Sequence, residues 1–319
     1  MRAQNVTSGR VSAPGTAVAS ASGAAGAARS VPRALLALMR PHQWIKNGLL
    51  LAALVFSHRL FHPADATLAL AGLVAFCALS STTYVLNDIV DREADRQNPE
   101  KCGRPLARGE VSVNLAIALA AVLAAVALLS SFALGAAFLG VAGIYAGLQL
   151  AYSLWAKQIV VLDVIAVAVG FVLRAYAGGA AIGAPVSPWL VFITFVLALF
   201  LVLARRRHEL AALGNAAAAH RSALGSYSVR LVDQMITIAA GATLVSYMIY
   251  TASGEIEAKL GTQNLYLTVP LVAFGILRYL YLIDQYNEGA DPARLLLKDR
   301  PLALAVLLWI AADVLLLYF

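Results

Sequence analysis

The stretch TLALAGLVAFCALSSTTYVLNDIVDREAD, from Thr67 to Asp95, is an apolar run that ends in a cluster of acidic residues. No residue from Thr67 to Asn87 carries a charge, and an uncharged apolar run of roughly 20 residues is typical of a membrane-spanning helix. Four acids then occupy the eight positions from Asp88 to Asp95. The stretch therefore predicts a membrane helix with carboxylates placed at one of its ends.

The rest of the chain repeats this pattern. The composition is 61% hydrophobic and only 13% charged, with a mean hydropathy of +0.77, whereas soluble domains carry about 25% charged residues. Only helices or closed barrels satisfy the backbone in lipid, and these runs are too long for strands. We predict an all-α integral membrane protein with nine transmembrane helices around a central cavity, at about 44–62, 66–87, 113–133, 135–155, 159–182, 188–204, 233–252, 264–284 and 301–319.

The distribution of charge predicts the orientation. If nine spans alternate, all but three of the 24 lysine and arginine residues (the exceptions are Arg59, Arg174 and Lys259) fall on one side. By the positive-inside rule that side is cytoplasmic, which places the N-terminus inside and the C-terminus outside. Residues 1–32, rich in Ala, Gly and Ser, are predicted to be a disordered cytoplasmic tail before one transmembrane domain, 33–319. We expect a multi-pass protein of the cell (inner) membrane with its active site facing the cytoplasm.

The acidic cluster suggests a metal site. At 100° per residue, Asp88, Asp91 and Asp95 fall within about 60° of one helix face, and Asn87 widens that arc to roughly 100°. Carboxylates crowded on one face repel one another unless a cation lies between them. Oxygen ligands beside a phosphate substrate suit Mg²⁺, so Asp88, Asp91 and Asp95 are the predicted metal ligands. The alternative is a solvated loop whose acids are balanced by neighbouring arginines.

Basic residues follow the acids in the same loop. Lys101 and Arg104 lie within nine residues of Asp95. A diphosphate carries more negative charge than one divalent metal neutralises, so cations beside a metal–carboxylate cluster fit the binding of a diphosphate. The alternative is that they are ordinary positive-inside residues.

Several motifs resemble one known family. NDIVDREAD (Asn87–Asp95) is similar to the NDxxDxxxD signature of the UbiA superfamily of intramembrane prenyltransferases, and GRPLARGEVS (Gly103–Ser112) resembles the continuation of that loop. RPHQWIKN (Arg40–Asn47) resembles the branch of polyprenyl-phosphate phosphoribosyltransferases. The resemblance covers about residues 33–319 and extends through YSLWAKQIVVLD, FVLRAYAGG, RRRHEL, ILRY and DRPL.

One segment departs from the superfamily pattern. Members of the superfamily resemble one another in a second aspartate-rich motif after the sixth helix, where this chain has ARRRHELAALG, with Arg205, Arg206, Arg207 and a single acid, Glu209. A second metal held wholly by carboxylates is therefore not expected. The exchange of acids for bases suggests a donor that carries more phosphate than an isoprenyl diphosphate does.

The resemblance implies a specific reaction. It is the Mg²⁺-dependent transfer of 5-phosphoribose from phosphoribosyl diphosphate to a polyprenyl (decaprenyl) phosphate, which releases diphosphate and supplies a precursor of cell-wall arabinan. The expected partners are these two substrates and membrane lipid, not nucleic acid, with homo-oligomerisation left open. Two alternatives remain: an aromatic prenyltransferase of quinone or haem O synthesis that uses an isoprenyl diphosphate, and a transporter, which would need charges near the midplane of several helices.

Relief of repulsion between phosphates identifies the remaining candidates. A phosphate monoester is already mostly ionised at pH 7 and needs no strong base, but two anionic substrates need cations between them. Asp163 is either a ribose or metal partner or one half of a structural ion pair. Arg174, deep in the membrane, is either functional or a brace between helices. The predicted catalytic residues are Lys46, Asp88, Asp91 and Asp163, and the predicted substrate-binding residues are Asn87, Lys101, Arg104, Tyr152, Lys157, Arg174, Arg206, Glu209 and Arg221.

Overall fold

A computed structural model of the chain describes residues 30–98, 101–213, 222–286, 289 and 291–319. These residues form helices and no strand. The α-helices are α1 Val31–Met39, α2 Leu50–Phe56, α3 Pro63–Val90, α4 Arg92–Gln97, α5 Val113–Ala133, α6 Ala136–Leu154, α7 Leu162–Ala181, α8 Pro188–Leu213, α9 Ser222–Gly225, α10 Val229–Thr251, α11 Gly254–Leu260, α12 Val269–Tyr286, α13 Pro292–Lys298 and α14 Arg300–Tyr318. The 3₁₀ helices of the described residues span Pro41–Leu49, Ala156–Gln158 and Leu265–Thr268.

Among the described residues, eight helices are long and apolar enough to cross a membrane: α3, α5, α6, α7, α8, α10, α12 with the 3₁₀ turn before it, and α14. They correspond to the last eight predicted spans. Side-chain contacts join the C-terminal end of α3 to the C-terminal end of α6, and the start of α7 to the C-terminal part of α8. We call this the Asp88 end of the bundle. At the opposite end, the Tyr318 hydroxyl of α14 donates to the Val55 carbonyl.

The first predicted span, 44–62, does not form one continuous α-helix. Its residues belong to the 3₁₀ helix Pro41–Leu49, to α2 and to the turn that follows. At 2.0 and 1.5 Å per residue the two helices extend about 28 Å together, close to the thickness of a bilayer core, about 30 Å. Arg40 contacts Asp88 at one end, and Val55 contacts Tyr318 at the other. This segment, which we call the entry segment, therefore runs the length of the bundle.

The 3₁₀ geometry of the entry segment sorts its side chains into straight columns. Because a 3₁₀ helix has three residues per turn, residues i and i+3 lie directly above one another. One column packs on α3: Trp44 Nε1 donates to Ser81 Oγ at 3.0 Å, and Asn47 Nδ2 donates to Ser80 Oγ at 3.2 Å. The next column carries Ile45, which is exposed. The third column belongs to the candidate site.

A glycine lets α7 approach the entry segment closely. A Cβ atom added to Gly178 would lie 2.0 Å from the Leu50 carbonyl oxygen, well inside van der Waals contact. Only hydrogen fits at this position. The contact fixes the depth of the entry segment relative to α7.

Candidate functional site

Two of the predicted metal-binding aspartates meet at the Asp88 end. Arg104 Nη1 lies 3.0 Å from Asp88 Oδ1 and 2.5 Å from Asp95 Oδ2, so a single guanidinium bridges both carboxylates. Arg40 Nη2 reaches the same Asp88 oxygen at 2.5 Å. The Asp88 and Asp95 side chains are only 3% and 4% exposed. Two buried carboxylates are thus balanced by two arginines. We call Asp88 and Asp95 the carboxylate pair.

The third aspartate stands apart. α3 ends at Val90 and α4 begins at Arg92, and Asp91 between them has φ −85° and ψ 3°. The single helix face expected for three carboxylates is interrupted at this residue. Within the described ranges, no group of three or more His, Cys, Asp or Glu side chains is placed to hold a metal ion. The expected convergence holds for Asp88 and Asp95 and not for Asp91.

The carboxylate pair nevertheless fits a divalent cation. Mg²⁺ is commonly held by one or two carboxylates and completes its shell with water and substrate phosphates. Asp88 and Asp95 already converge on one positive group, the Arg104 guanidinium. A cation that contacts both carboxylates next to Arg104 is therefore compatible with the placement of the two side chains, and a third protein carboxylate is not required.

A second buried network surrounds Arg206. Its Nε donates to Asp163 Oδ2 at 2.8 Å, its Nη1 to Glu209 Oε2 at 2.5 Å, and its Nη2 to the Tyr152 hydroxyl at 3.2 Å. The Tyr227 hydroxyl also donates to Asp163, at 2.9 Å. Burial and this bond to a carboxylate raise the pKa of Tyr227 to about 12, so it remains a donor at neutral pH. For Asp163 the structure matches the ion-pair alternative.

The three consecutive arginines of α8 have three different environments. Arg206 is 4% exposed and its donors are engaged by protein groups, while Arg207 bonds to α10 and α12. Arg205 forms an ion pair with Glu209 alone among the described residues, and 49% of its side chain is exposed. Its guanidinium is also the charge that acts most strongly on the Lys46 ammonium. Arg205, rather than Arg206, is therefore the arginine of this motif that is open to a ligand.

The third column of the entry segment faces this region. It contains Gln43, Lys46 and Leu49, spaced by three residues, and Arg40 directly precedes the helix as its N-cap. Gln43 Nε2 donates to Asp291 Oδ2 at 3.2 Å. Lys46 is buried and is influenced electrostatically by Arg205, Asp291, Arg174 and Arg40. Asp291 itself caps the N-terminus of α13. The column passes from cationic and polar side chains near the carboxylate pair to an apolar residue deeper in the bundle.

An apolar cavity of about 400 Å³ continues from the end of this column. Leu49 lines it on the entry segment, Pro292 lines it directly after Asp291, and Tyr250 and Leu260 line it toward the opposite end. Most of the other lining side chains are aliphatic or aromatic. The cavity can accept hydrocarbon and offers little to a charged group.

Arg174 is a brace between helices. Its Nε donates to Asn47 Oδ1 at 2.9 Å, its Nη1 to the Gly170 carbonyl at 2.9 Å, and its Nη2 to the Tyr145 hydroxyl at 2.7 Å. The side chain is buried. Both edges of the guanidinium are bound by protein groups, as the bracing alternative requires.

The other predicted residues are distributed around the Asp88 end. Asn87 Oδ1 accepts from Ser153 Oγ at 3.1 Å, which ties α3 to α6. Lys101 lies in the turn after α4, and Lys157 lies in the 3₁₀ turn between α6 and α7. Arg221 and the predicted tail up to residue 29 lie outside the described residues.

Sequence reasoning missed four residues of the site: Arg40, Gln43, Arg205 and Asp291. Within RPHQWIKN, Gln43 lies three residues and Arg40 six residues before Lys46. The spacing of three would have indicated Gln43 if a 3₁₀ helix had been considered. Asp291 is followed by Pro292, a typical start of a helix. Nothing local in the sequence separates Arg205 from Arg206.

The chain is similar to known proteins over most of its length. Residues 48–311 match the sequence model of the UbiA prenyltransferase family. The chain is 35% identical over 305 residues to the decaprenyl-phosphate phosphoribosyltransferase of Mycolicibacterium smegmatis (92% of this chain, 96% of the relative). It is 32% identical to that of Corynebacterium glutamicum (89% and 86%). Its fold matches a UbiA homologue from Archaeoglobus fulgidus bound to GPP and Mg²⁺, with a TM-score of 0.64 and 22% identity (90% and 100%).

Proposed function

The chain belongs to the UbiA prenyltransferase family, and on that premise we propose that it transfers 5-phosphoribose from phosphoribosyl diphosphate to a polyprenyl phosphate. The names of its relatives support this substrate pair. Among the features of the site, the observation that carries the proposal is that the half-exposed Arg205 guanidinium is near enough to Lys46 to repel its ammonium group. Two cations there suit a second anionic substrate, whereas a neutral aromatic acceptor needs neither.

The acceptor fits along the third column of the entry segment. Its phosphate would lie at Lys46 and Arg205, and its tail would continue past Leu49 into the apolar cavity. A water-sized group occupies about 30 Å³, so a cavity of about 400 Å³ has room for roughly 13 such groups. Because an isoprene unit has five carbon atoms, the cavity holds only the first few units. The rest of a decaprenyl tail would lie in the bilayer.

The donor diphosphate fits at the carboxylate pair. Asp88 and Asp95 would hold Mg²⁺, with Asp91 as a further ligand, and the metal would supply Lewis-acid stabilisation of the leaving group. Arg104 would offset the remaining negative charge of the diphosphate. In the reaction, the bond between ribose C1 and the diphosphate oxygen breaks as a bond from C1 to the acceptor phosphate oxygen forms. Because the acceptor is already ionised, no side chain has to remove a proton.

The charge distribution supports a cytoplasmic active site. Arg40, Lys46, Arg104 and Arg205 all belong to the Asp88 end, whereas Arg59 lies at the opposite end, where it contacts the Ile182 carbonyl. By the positive-inside rule the Asp88 end faces the cytoplasm. Counting the entry segment as a crossing gives nine, with the N-terminus inside and the C-terminus outside, in the cell (inner) membrane.

The proposed function can be tested by following the label of the donor. Purified protein in nanodiscs would be incubated with phosphoribosyl diphosphate labelled in the ribose, decaprenyl phosphate and Mg²⁺, and the label extracted into organic solvent. We expect a labelled lipid that requires both the lipid phosphate and the metal. Transfer from an isoprenyl diphosphate to an aromatic acceptor, with no labelled phosphoribosyl lipid, would show instead that the protein is an aromatic prenyltransferase.

A further inference from the structure

Arg40 has an unusual backbone conformation. Its φ of 53° and ψ of 61° lie in the left-handed region, which only two other non-glycine residues share within the described ranges, His58 and Val161. Proline follows it, and the residue before a proline is normally extended. Strained backbone of this kind persists where the surroundings fix it, and it is concentrated at functional sites. The conformation joins α1 to the entry segment and directs the Arg40 side chain to Asp88.

The Arg40 side chain occupies an oxygen that a metal would need. Arg40 Nη2 and Arg104 Nη1 both bond to Asp88 Oδ1, at 2.5 and 3.0 Å. Arg104 also holds Asp95, whereas Asp88 is the only carboxylate among the described residues that forms an ion pair with Arg40. The Arg40 guanidinium lies over the Tyr84 ring, 5.1 Å from its centroid, and 24% of the side chain is exposed. Of the two arginines, Arg40 is the one that can leave Asp88 without also breaking an ion pair with Asp95.

We propose that Arg40 is a donor-binding residue that neutralises Asp88 before the substrate arrives and moves from the carboxylate to the donor diphosphate when the metal and diphosphate bind. This rests on the function proposed above. The two arginines already balance the charge of Asp88 and Asp95, so a divalent cation alone would bring excess positive charge into a buried site. A metal that arrives with diphosphate brings the anion to which Arg40 then binds. The Tyr84 ring keeps the released guanidinium nearby.

The proposal predicts opposite effects of one substitution on two affinities. In Arg40→Gln, the competitor for Asp88 Oδ1 is removed, so Mn²⁺ without donor should bind more tightly. The same change removes a cation from the donor site, so phosphoribosyl diphosphate should bind more weakly. A charge-assisted hydrogen bond is worth roughly tenfold or more in affinity, and we expect shifts of about that size in each direction.

Two affinities are measured with the full chain in detergent. The affinity for Mn²⁺ is obtained from the EPR signal of the free ion, and the affinity for the donor is obtained by equilibrium binding. Arg40→Lys keeps the charge and should leave Mn²⁺ affinity near that of the wild type. Arg40→Gly accepts the left-handed backbone without strain, so it reports on the guanidinium even if Arg40→Gln does not fold. Arg33→Gln, on the exposed face of α1, is the control and should change neither affinity.

The outcomes separate this proposal from the function on which it rests. Weaker binding of both ligands in Arg40→Gln and Arg40→Gly, or no change in either, would show that Arg40 only supports the structure. Repeating the titrations with geranyl diphosphate tests the donor independently. If geranyl diphosphate is the donor that binds, the phosphoribosyl assignment is wrong, while tighter Mn²⁺ binding in Arg40→Gln would still establish that Arg40 competes with the metal.

Discussion

Arg174 Nε donates to Asn47 Oδ1 at 2.9 Å, across 127 residues of sequence, and this bond ties α7 to the entry segment. Replacing Arg174 with Gln would remove the donor that the buried Asn47 Oδ1 accepts from. We expect a loss of about 1–3 kcal/mol in stability, measured as a lower unfolding temperature in detergent. Donor affinity should stay near the wild-type value. A weaker donor affinity with unchanged stability would make Arg174 a substrate-binding residue instead.

The glycine at position 178 should be irreplaceable. Gly178→Ala would place a methyl group 2.0 Å from the Leu50 carbonyl oxygen, so the entry segment would have to move away from α7. We expect a large drop in unfolding temperature and in activity together. Gly143→Ala, on α6 with nothing within 4 Å of the added methyl, is the matched control. Since alanine is favoured over glycine inside a helix by roughly 0.5–1 kcal/mol, it should be neutral or stabilising.

Neighbouring arginines of α8 should give different results. Arg206→Ala leaves the buried Asp163 without its cation, and loss of one partner from a buried pair typically costs about 3–5 kcal/mol. Arg205→Ala removes a half-exposed pair, usually worth about 1 kcal/mol or less, but it should raise the KM for the polyprenyl phosphate. Thermal unfolding and steady-state kinetics on both variants check this. Equal effects of the two substitutions on KM would contradict the assignment.

The aspartates should differ in whether excess metal rescues them. Asp88→Asn removes a carboxylate that is buried against Arg104, and we expect turnover to fall by about 100-fold or more at any Mg²⁺ concentration. Asp91→Asn removes a ligand that stands outside the carboxylate pair, so raising Mg²⁺ should restore part of the rate. Mg²⁺ titrations of initial rate separate the two. Full activity of Asp91→Asn at low Mg²⁺ would exclude that residue as a ligand.

Lys46 should affect the lipid substrate more than the donor. Lys46→Met keeps the apolar length of the side chain and deletes its positive charge. That charge and the charge of Arg205 contribute to the same part of the site. We expect a large loss of transfer at limiting polyprenyl phosphate with donor binding mostly retained. Arg33→Met provides a control for loss of a topology signal. Wild-type rates for Lys46→Met at limiting lipid would indicate that Lys46 serves orientation only.

Hydropathy predicted most of the fold because it measures what the bilayer requires. The predicted spans 113–133 and 301–319 match α5 and α14 to within a residue. The first span was wrong only as one continuous α-helix, because a hydropathy window measures apolar content and not the winding of the backbone. Pro41 begins the 3₁₀ helix there, and Gly48 lies within it. Neither residue disturbs the average hydropathy enough to reveal the change.

Helical periodicity predicted only part of the site. Asp88 and Asp95 are seven residues apart, nearly two turns, so they share a face even though Asp91 interrupts the helix. The choice between Arg205 and Arg206 was beyond the sequence, because consecutive helical residues point about 100° apart. Which of them meets Asp163 depends on how α7 packs against α8. This is tertiary information that one helix does not contain.

If the two substrates bind as proposed, the winding of the entry segment sets the distance between them. A 3₁₀ helix rises about 2.0 Å per residue and an α-helix about 1.5 Å, so rewinding the nine residues Pro41–Leu49 as α would shorten the segment by about 4–5 Å. It would also rotate each residue of the column by about 60° relative to the residue three positions earlier. Lys46 would leave its line with Gln43, and the spacing between Asp88 and the cavity would contract. The length of the entry segment and the alignment of its third column thus both depend on the 3₁₀ geometry of its backbone.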